Sequence, residues 1–424
     1  MRISSRNLRY LGPNWYAVVM GTAIVANAGA ALPSVPGSRI AYEAVWALSA
    51  VALVVLLAAR AAHWARHRDQ ARAHLLDPAV APFYGCVSMA LLAVGGGTLS
   101  VGADVIGVRA AVAVDAVLWT AGTVIGLAAA AGIPYLMITR HRIGAQDASP
   151  VWLLPVVPPM VAAALGPALA AHVPAGQGRL ALLLGCYALF GLSLMAVLLI
   201  LPAVFLRLVR HGAPAPALTP TLFLVLGPLG QSVTAAAHLA EAAPAGVHGG
   251  YFAVAYGVPV LGFALLWLAL AGALAVRALR RGMPFAMTWW GFTFPLGTCV
   301  TGAAGLARPT GLHALTWLAV GLYAVLVGAW SVVAVRTALG VARGTLLAPP
   351  NAGPAAPPVG AGAASAAPTP GAGAAAPPAV ARGALAAAPA SVPGLAAAPA
   401  PSSVPGLAAA PAPARVSVPS AARR

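Results

Sequence analysis

The chain of 424 residues is 61% hydrophobic and only 7% charged, with a mean hydropathy of +0.88, whereas an ordinary soluble domain carries roughly a quarter charged residues. A water-soluble globular protein is excluded. All 24 basic residues are arginines, set against seven acids for a net charge of +17, but most of them flank apolar runs, where topology and lipid headgroups account for them better than nucleic acid does.

A bilayer core about 30 Å thick requires roughly 20 apolar residues per helix. Ten stretches meet that requirement: 13–32, 42–59, 83–102, 110–139, 151–171, 180–206, 221–242, 251–276, 286–306 and 313–335. The first resembles a signal peptide, with Arg2, Arg6 and Arg9 ahead of an apolar run through Ala26-Asn27-Ala28. It is read as an uncleaved span, because the run continues for a full membrane width and its loss would leave an odd number of helices.

The connections alternate in charge. One side receives the N-terminal arginines, the links after the second, fourth, sixth and eighth stretches, and the tail, 20 arginines in all; the other receives only Arg39, Arg109, Arg179 and Arg308. The positive-inside rule then places both ends in the cytoplasm of a bacterial cell, the chain being a multi-pass protein of its plasma membrane. The expected organisation is a short cytoplasmic segment (1–12), a ten-helix transport domain (13–336) and a cytoplasmic tail (337–424). From about Leu347 the tail is built of Pro, Ala, Gly and Ser, a composition that cannot form a packed core.

The helices fall into five hairpins, and the first member of each carries glycine or proline: Gly21, Gly95-Gly96-Gly97, Pro155 with Pro158 and Pro159, Gly227-Pro228 with Gly230, and Pro295 with Gly297. Gly21, Gly96, Pro158, Pro228 and Pro295 are separated by 75, 62, 70 and 67 residues, which suggests a fivefold internal repeat. Freed backbone groups are tolerable in a bilayer only where protein or water satisfies them, so the odd helices are expected to face inward. The even helices, mostly Leu, Val and Ala, suit a lipid-facing ring. The plainer reading of any one glycine is that it lets two helices pack closely.

Enzyme signatures are absent: no HExxH, GxSxG or Walker loop occurs. Asp115 and Glu241 fall near the outer ends of their helices and read as solvated. The isolated thiols Cys86, Cys186 and Cys299 read as small core residues. His63, His67 and His74 cluster in the first basic link, but without a further ligand at matching spacing they predict no metal site, and no cofactor is expected. Two segments are more specific. Gly227-Pro228-Leu229-Gly230-Gln231-Ser232 sets polar side chains beside a helix break, and Trp289-Trp290-Gly291-Phe292-Thr293-Phe294-Pro295 sets an aromatic against a proline.

With Gly12-Pro13-Asn14-Trp15-Tyr16 and Val19-Met20-Gly21-Thr22, these segments resemble the tellurite-resistance and C4-dicarboxylate transporter family, which includes the plant slow-type anion channels. The resemblance spans roughly 13–335. It implies an all-α membrane protein whose ten helices form a quasi-fivefold barrel around a central pore, with a phenylalanine on the ninth helix as the plug. Phe294 matches that plug best, with Phe292 as its rival. It also implies small-anion substrates, such as malate or another C4-dicarboxylate, sulfite or tellurite, and assembly as a homotrimer.

The expected pore wall is Gly21, Thr22, Gly96, Pro158, Pro228, Gly230, Gln231, Pro295 and Gly297. Arg39, Arg109, Arg179 and Arg308, one on each of four outer turns, suggest an electropositive outer vestibule. The competing class is a polytopic membrane enzyme or a haem- or quinone-binding protein using His238 or His313.

Overall fold

The computed structural model describes residues 9–33, 37–243 and 249–347. The Pro/Ala-rich tail from residue 348 onward, together with Arg2 and Arg6, lies outside the described residues. Eleven helices are labelled here: α1 (Tyr16–Ala30), α2 (Ser38–Arg66), α3 (Arg68–Leu76), α4 (Tyr84–Gly97), α5 (Val108–Thr139), α6 (Pro158–Ala170), α7 (Gln177–His211), α8 (Leu226–Glu241), α9 (Gly249–Arg280), α10 (Phe294–Thr310) and α11 (His313–Ala342).

Five of these, α1, α4, α6, α8 and α10, are preceded by a 3-10 segment. Those segments begin at Pro13, Ala81, Pro150, Pro216 and Met287, 68, 69, 66 and 71 residues apart. Four of the five have proline in their first two positions, and α6 and α10 themselves begin on Pro158 and on Phe294-Pro295. Proline is at home there, because the first turn of a helix has no internal acceptor for the amide that proline lacks. The breaks expected at Pro158, Pro228 and Pro295 are therefore junctions between a tight turn and an α-helix, whereas Gly21 lies within α1 and Gly95-Gly96-Gly97 closes α4. α4 continues instead into a π-helical turn, Thr98–Gly102, followed by a short helix, Ala103–Ile106.

The same five helices are the buried ones. α1 packs on α4, α4 on α6, α6 on α8, α8 on α10, and α10 on α1. Each long outer helix packs mainly against one member of this series and also touches the next: α2 on α1, α5 on α4, α7 on α6, α9 on α8 and α11 on α10, with α5 also on α6, α9 on α10 and α11 on α1. Among the described residues, seven helices are long and apolar enough to cross a membrane. Five are the outer ones, whose most apolar windows are only 17–28% buried; the other two, Ala81–Ile106 and Pro216–Glu241, are 72% and 94% buried. The even helices are not uniformly smooth, since Pro134, Pro202 and Pro259 lie inside α5, α7 and α9.

Glycine makes the close inner contacts possible. A Cβ on Gly230 of α8 would stand 2.5 Å from the backbone of Thr298 and Cys299 on α10, and one on Gly96 of α4 would stand 2.9 Å from Leu165 of α6. Gly21 of α1 lies under Trp290 and Thr293, and Gly297 of α10 lies against Ile24 of α1. Hydroxyls then tie α8 to α10: Thr298 Oγ1 donates to the carbonyls of Leu226 (3.2 Å) and Gly227 (3.3 Å), and the Thr234 and Thr301 hydroxyls meet at 2.7 Å.

Gly230→Val forces a backbone collision that no rotamer relieves, an overpacking cost of about 1–3 kcal/mol. It should lower the melting temperature of the detergent-purified protein by several degrees. Gly262→Val on α9, where nothing lies within 4 Å, should leave it unchanged.

Candidate functional site: a cavity where five helices begin

The 3-10 segments converge on one cavity of about 810 Å³. Its wall takes residues from every inner-helix entrance: Asn14 ahead of α1, Phe83 ahead of α4, Ser149 ahead of α6, Thr221 ahead of α8 and Thr288 ahead of α10. This end of the fold carries the arginine-rich links. Backbone amides at helix starts carry partial positive charge, so five converging starts favour an anion in the space between them.

Four charged side chains line the cavity, and three of them are held by the main chain. Arg207 donates to the carbonyls of Gln146 (3.2 Å) and Gly212 (2.8 Å), Asp77 accepts from the Ala79 amide (2.8 Å), and Asp147 accepts from the Gly144 amide (2.8 Å). Arg142 makes no hydrogen bond or ion pair with any described residue. Among the described residues that line the cavity, it is the arginine whose charge is uncompensated. Nothing in its sequence neighbourhood sets it apart from the other link arginines; only the convergence of the five entrances does.

The predicted wall residues divide by contact. Gly21, Gly96, Gly230 and Gly297 sit at contacts between neighbouring inner helices. The Thr22 hydroxyl donates to Val18 and accepts from Trp330 Nε1 of α11 at 3.2 Å, which engages it with an outer helix. Pro158 touches the position of Gly126 on α5, and Pro295 lies 4.0 Å from that of Gly227. Pro228 falls in the first turn of α8, and Gln231 is buried on the same helix.

Phe294 is 2% exposed at the start of α10. Phe292, half-buried, stacks edge-on against Phe223 at 4.8 Å and Trp289 at 5.8 Å.

At the opposite end, Arg39 pairs with Asp104 at 2.6 Å and Arg308 with Glu241 at 3.3 Å. Arg109 and Arg179 belong to no ion pair among the described residues. Asp115 is not at a solvated boundary: it is 1% exposed, beside Gly95, and its Oδ1 has no hydrogen-bond partner among the described residues. His238 Nδ1 lies 2.7 Å from the Ala164 carbonyl and ties α8 to α6, whereas His313 is exposed at the start of α11. No group of three His, Cys, Asp or Glu side chains among the described residues is placed to hold a metal ion.

Residues 10–338 match the profile of the family described as voltage-dependent anion channel, SLAC1. An uncharacterized transporter of Methanocaldococcus jannaschii is 24% identical over 77% of the chain and 92% of its own length. The sulfite efflux pump of Trichophyton rubrum is 28% identical over 70% of the chain and 81% of its own length. The malic acid transport protein of Schizosaccharomyces pombe is 29% identical over 38% of the chain and 40% of its own length.

Proposed function

The chain belongs to the SLAC1 family of voltage-dependent anion channels, and on that premise we propose that it carries small oxyanions, of the sulfite or dicarboxylate class, through the centre of its inner helix ring. Ten helices, including the shorter α1, α6 and α10, then cross the membrane as five hairpins in a quasi-fivefold barrel. The closed series of inner-helix neighbours supports this reading, with each long outer helix packed mainly on one inner helix and touching the next. In this reading the cavity and both ends of the chain face the cytoplasm of a bacterial cell, which the arginine-rich links support. The domain bounds follow: an entry segment (1–12), the barrel (13–336) and a cytoplasmic tail (337–424). The family resemblance supports a homotrimer with one passage per subunit.

The observation that carries the gate is angular. Successive residues on α10 advance by about 100°. With Gly297, which faces α1, set at zero, Thr298 and Gly302, which face α8, lie at about 100° and 140°. Phe294 lies at about 60°, inside the arc between the two ring neighbours, which is the direction of the barrel axis. Thr301, at about 40°, shares that face. Phe292 packs edge-on against Phe223 and Trp289, which favours Phe294 as the plug. A bulky apolar ring on the axis blocks ions by steric occlusion and dewetting. Selection for anions comes from the helix starts and Arg142 at the cavity, not from a fixed charge at the gate.

On the outer side, the carboxylate partners of Arg39 and Arg308 compensate their charges. That leaves Arg109 and Arg179 as the main source of an electropositive vestibule.

In proteoliposomes, with sulfite, malate, nitrate and chloride compared by tracer and electrode, Phe294→Ala should raise anion flux at least tenfold and Phe292→Ala should not. Flux raised by Phe292→Ala alone would move the plug to that residue. In the Phe294→Ala background, Arg109→Gln with Arg179→Gln should reduce inward anion flux severalfold at low ionic strength and less at high salt, as screening requires. An unchanged flux would remove the vestibule.

A further inference from the structure

The first link folds back on itself at the edge of the cavity. α2 ends at His67, whose backbone (φ −132°, ψ 53°) leaves the helix, and α3 returns from Arg68 to Leu76. The reversal stacks the His74 ring on that of His63, with centroids 5.5 Å apart and planes 4° from parallel, and sets His67 6.0 Å from His63. His63 is fully buried and His74 is 8% exposed, yet His74 lines the cavity.

The neighbours are defined on every side. α2 contributes Arg60, 5% exposed, whose guanidinium donates to the Leu11 carbonyl and to the Tyr84 hydroxyl (3.3 Å) and lies over the Tyr84 ring. No carboxylate pairs with Arg60 among the described residues. From α3, Gln70 Nε2 approaches His74 Nε2 at 3.5 Å, and Asp77 follows the helix. α4 contributes Tyr84 and α1 contributes Tyr16, which feels both Arg60 and Tyr84. Beyond α5, His141 Nε2 lies 3.0 Å from the Leu75 carbonyl. The Nδ1 atom of His74 is buried without a hydrogen-bond partner among the described residues.

A histidine ring in this setting resists protonation. Burial, then Arg60, then His63 push its pKa down to about 4, against a smaller upward pull from Asp77. The sign of its response to cargo follows directly. An anion entering the cavity offsets the positive field of Arg60 and makes the charged ring cheaper to form, and a charged ring in turn attracts the anion. The two effects are equal by linkage.

We propose that His74 is a proton-binding site coupled to anion occupancy of this cavity, so that an oxyanion and a proton load together from the arginine-rich face. The proposal rests on the anion-conduit reading and goes beyond it by assigning a proton site. His63 and Arg60 act as positioning residues: they set how acidic the solution must be before His74 charges.

The test uses the full-length protein in detergent at pH 5, weakly buffered and with a pH-indicating dye. Sodium nitrate serves as the probe because it does not itself titrate there. Nitrate should drive proton uptake by the wild type, reduced at least fivefold in His74→Gln that still elutes as folded protein. His63→Gln should shift the uptake midpoint to higher pH. A second measurement needs no variant. Nitrate flux from the arginine-rich side of wild-type proteoliposomes should rise at least threefold as that side goes from pH 7 to pH 4.5.

Uptake unchanged in His74→Gln, or a flat flux profile in protein that does carry nitrate, overturns the proton site. Protein that carries no anion at all, under any gradient, overturns the conduit reading instead.

Discussion

The structure depends on close approach between inner helices at positions that have no side chain. Gly21 under Trp290 and Thr293, Gly230 against the backbone of Thr298 and Cys299, and Gly297 against Ile24 bring α1, α8 and α10 nearer than an alanine would allow. Contacts this tight matter in a membrane, where helix association draws on van der Waals fit and interhelical hydrogen bonds and gains little from excluding water. They also keep the tight 3-10 turns and their less regular hydrogen bonding inside protein, as hydrocarbon requires. The outer helices then need only be long and apolar, and their exposed faces are.

Function follows from how that ring begins. Because every inner helix starts at the arginine-rich end, the partial positive charge of five helix starts is gathered at one cavity. Arg142, which has no partner among the described residues, adds a full charge there. The polar groups that join α8 to α10, Thr234 and Thr301 among them, are uncharged. In the proposed reading an anion leaves a positive entrance for a neutral passage interrupted by the Phe294 ring. A passage of that kind favours entry without binding so tightly that exit is slow.

Much of this was legible in the sequence, and the failures have physical causes. Apolar length marked the long helices, and glycine and proline marked the ones that the structure buries. Those residues were expected to line a passage. The structure shows the glycines at contacts between helices and the prolines at helix starts, and a residue type that permits close approach says nothing of which side is approached. Thr22 illustrates the limit: its neighbour Gly21 faces α10, but a step of about 100° carries its own hydroxyl to Trp330 on α11. Arg60, His63 and His74 look like ordinary residues of a basic link, and their burial depends on the reversal at His67 and on packing against Tyr84. Asp115 looked solvated by its distance from the helix end, whereas the facing Gly95 lets it lie buried. Each miss involves partners far apart in the chain.

The most direct test of a central passage is state-dependent modification of one inward and one outward position. In the Phe294→Ala background, Thr301→Cys should react with a small negatively charged thiosulfonate added to the aqueous phase, and anion flux should fall by more than half. Thr22→Cys, turned toward Trp330, should leave flux unchanged under the same treatment. Block through position 22 with none through position 301 would contradict the account, because the ring would then be closed at its centre and anions would pass elsewhere.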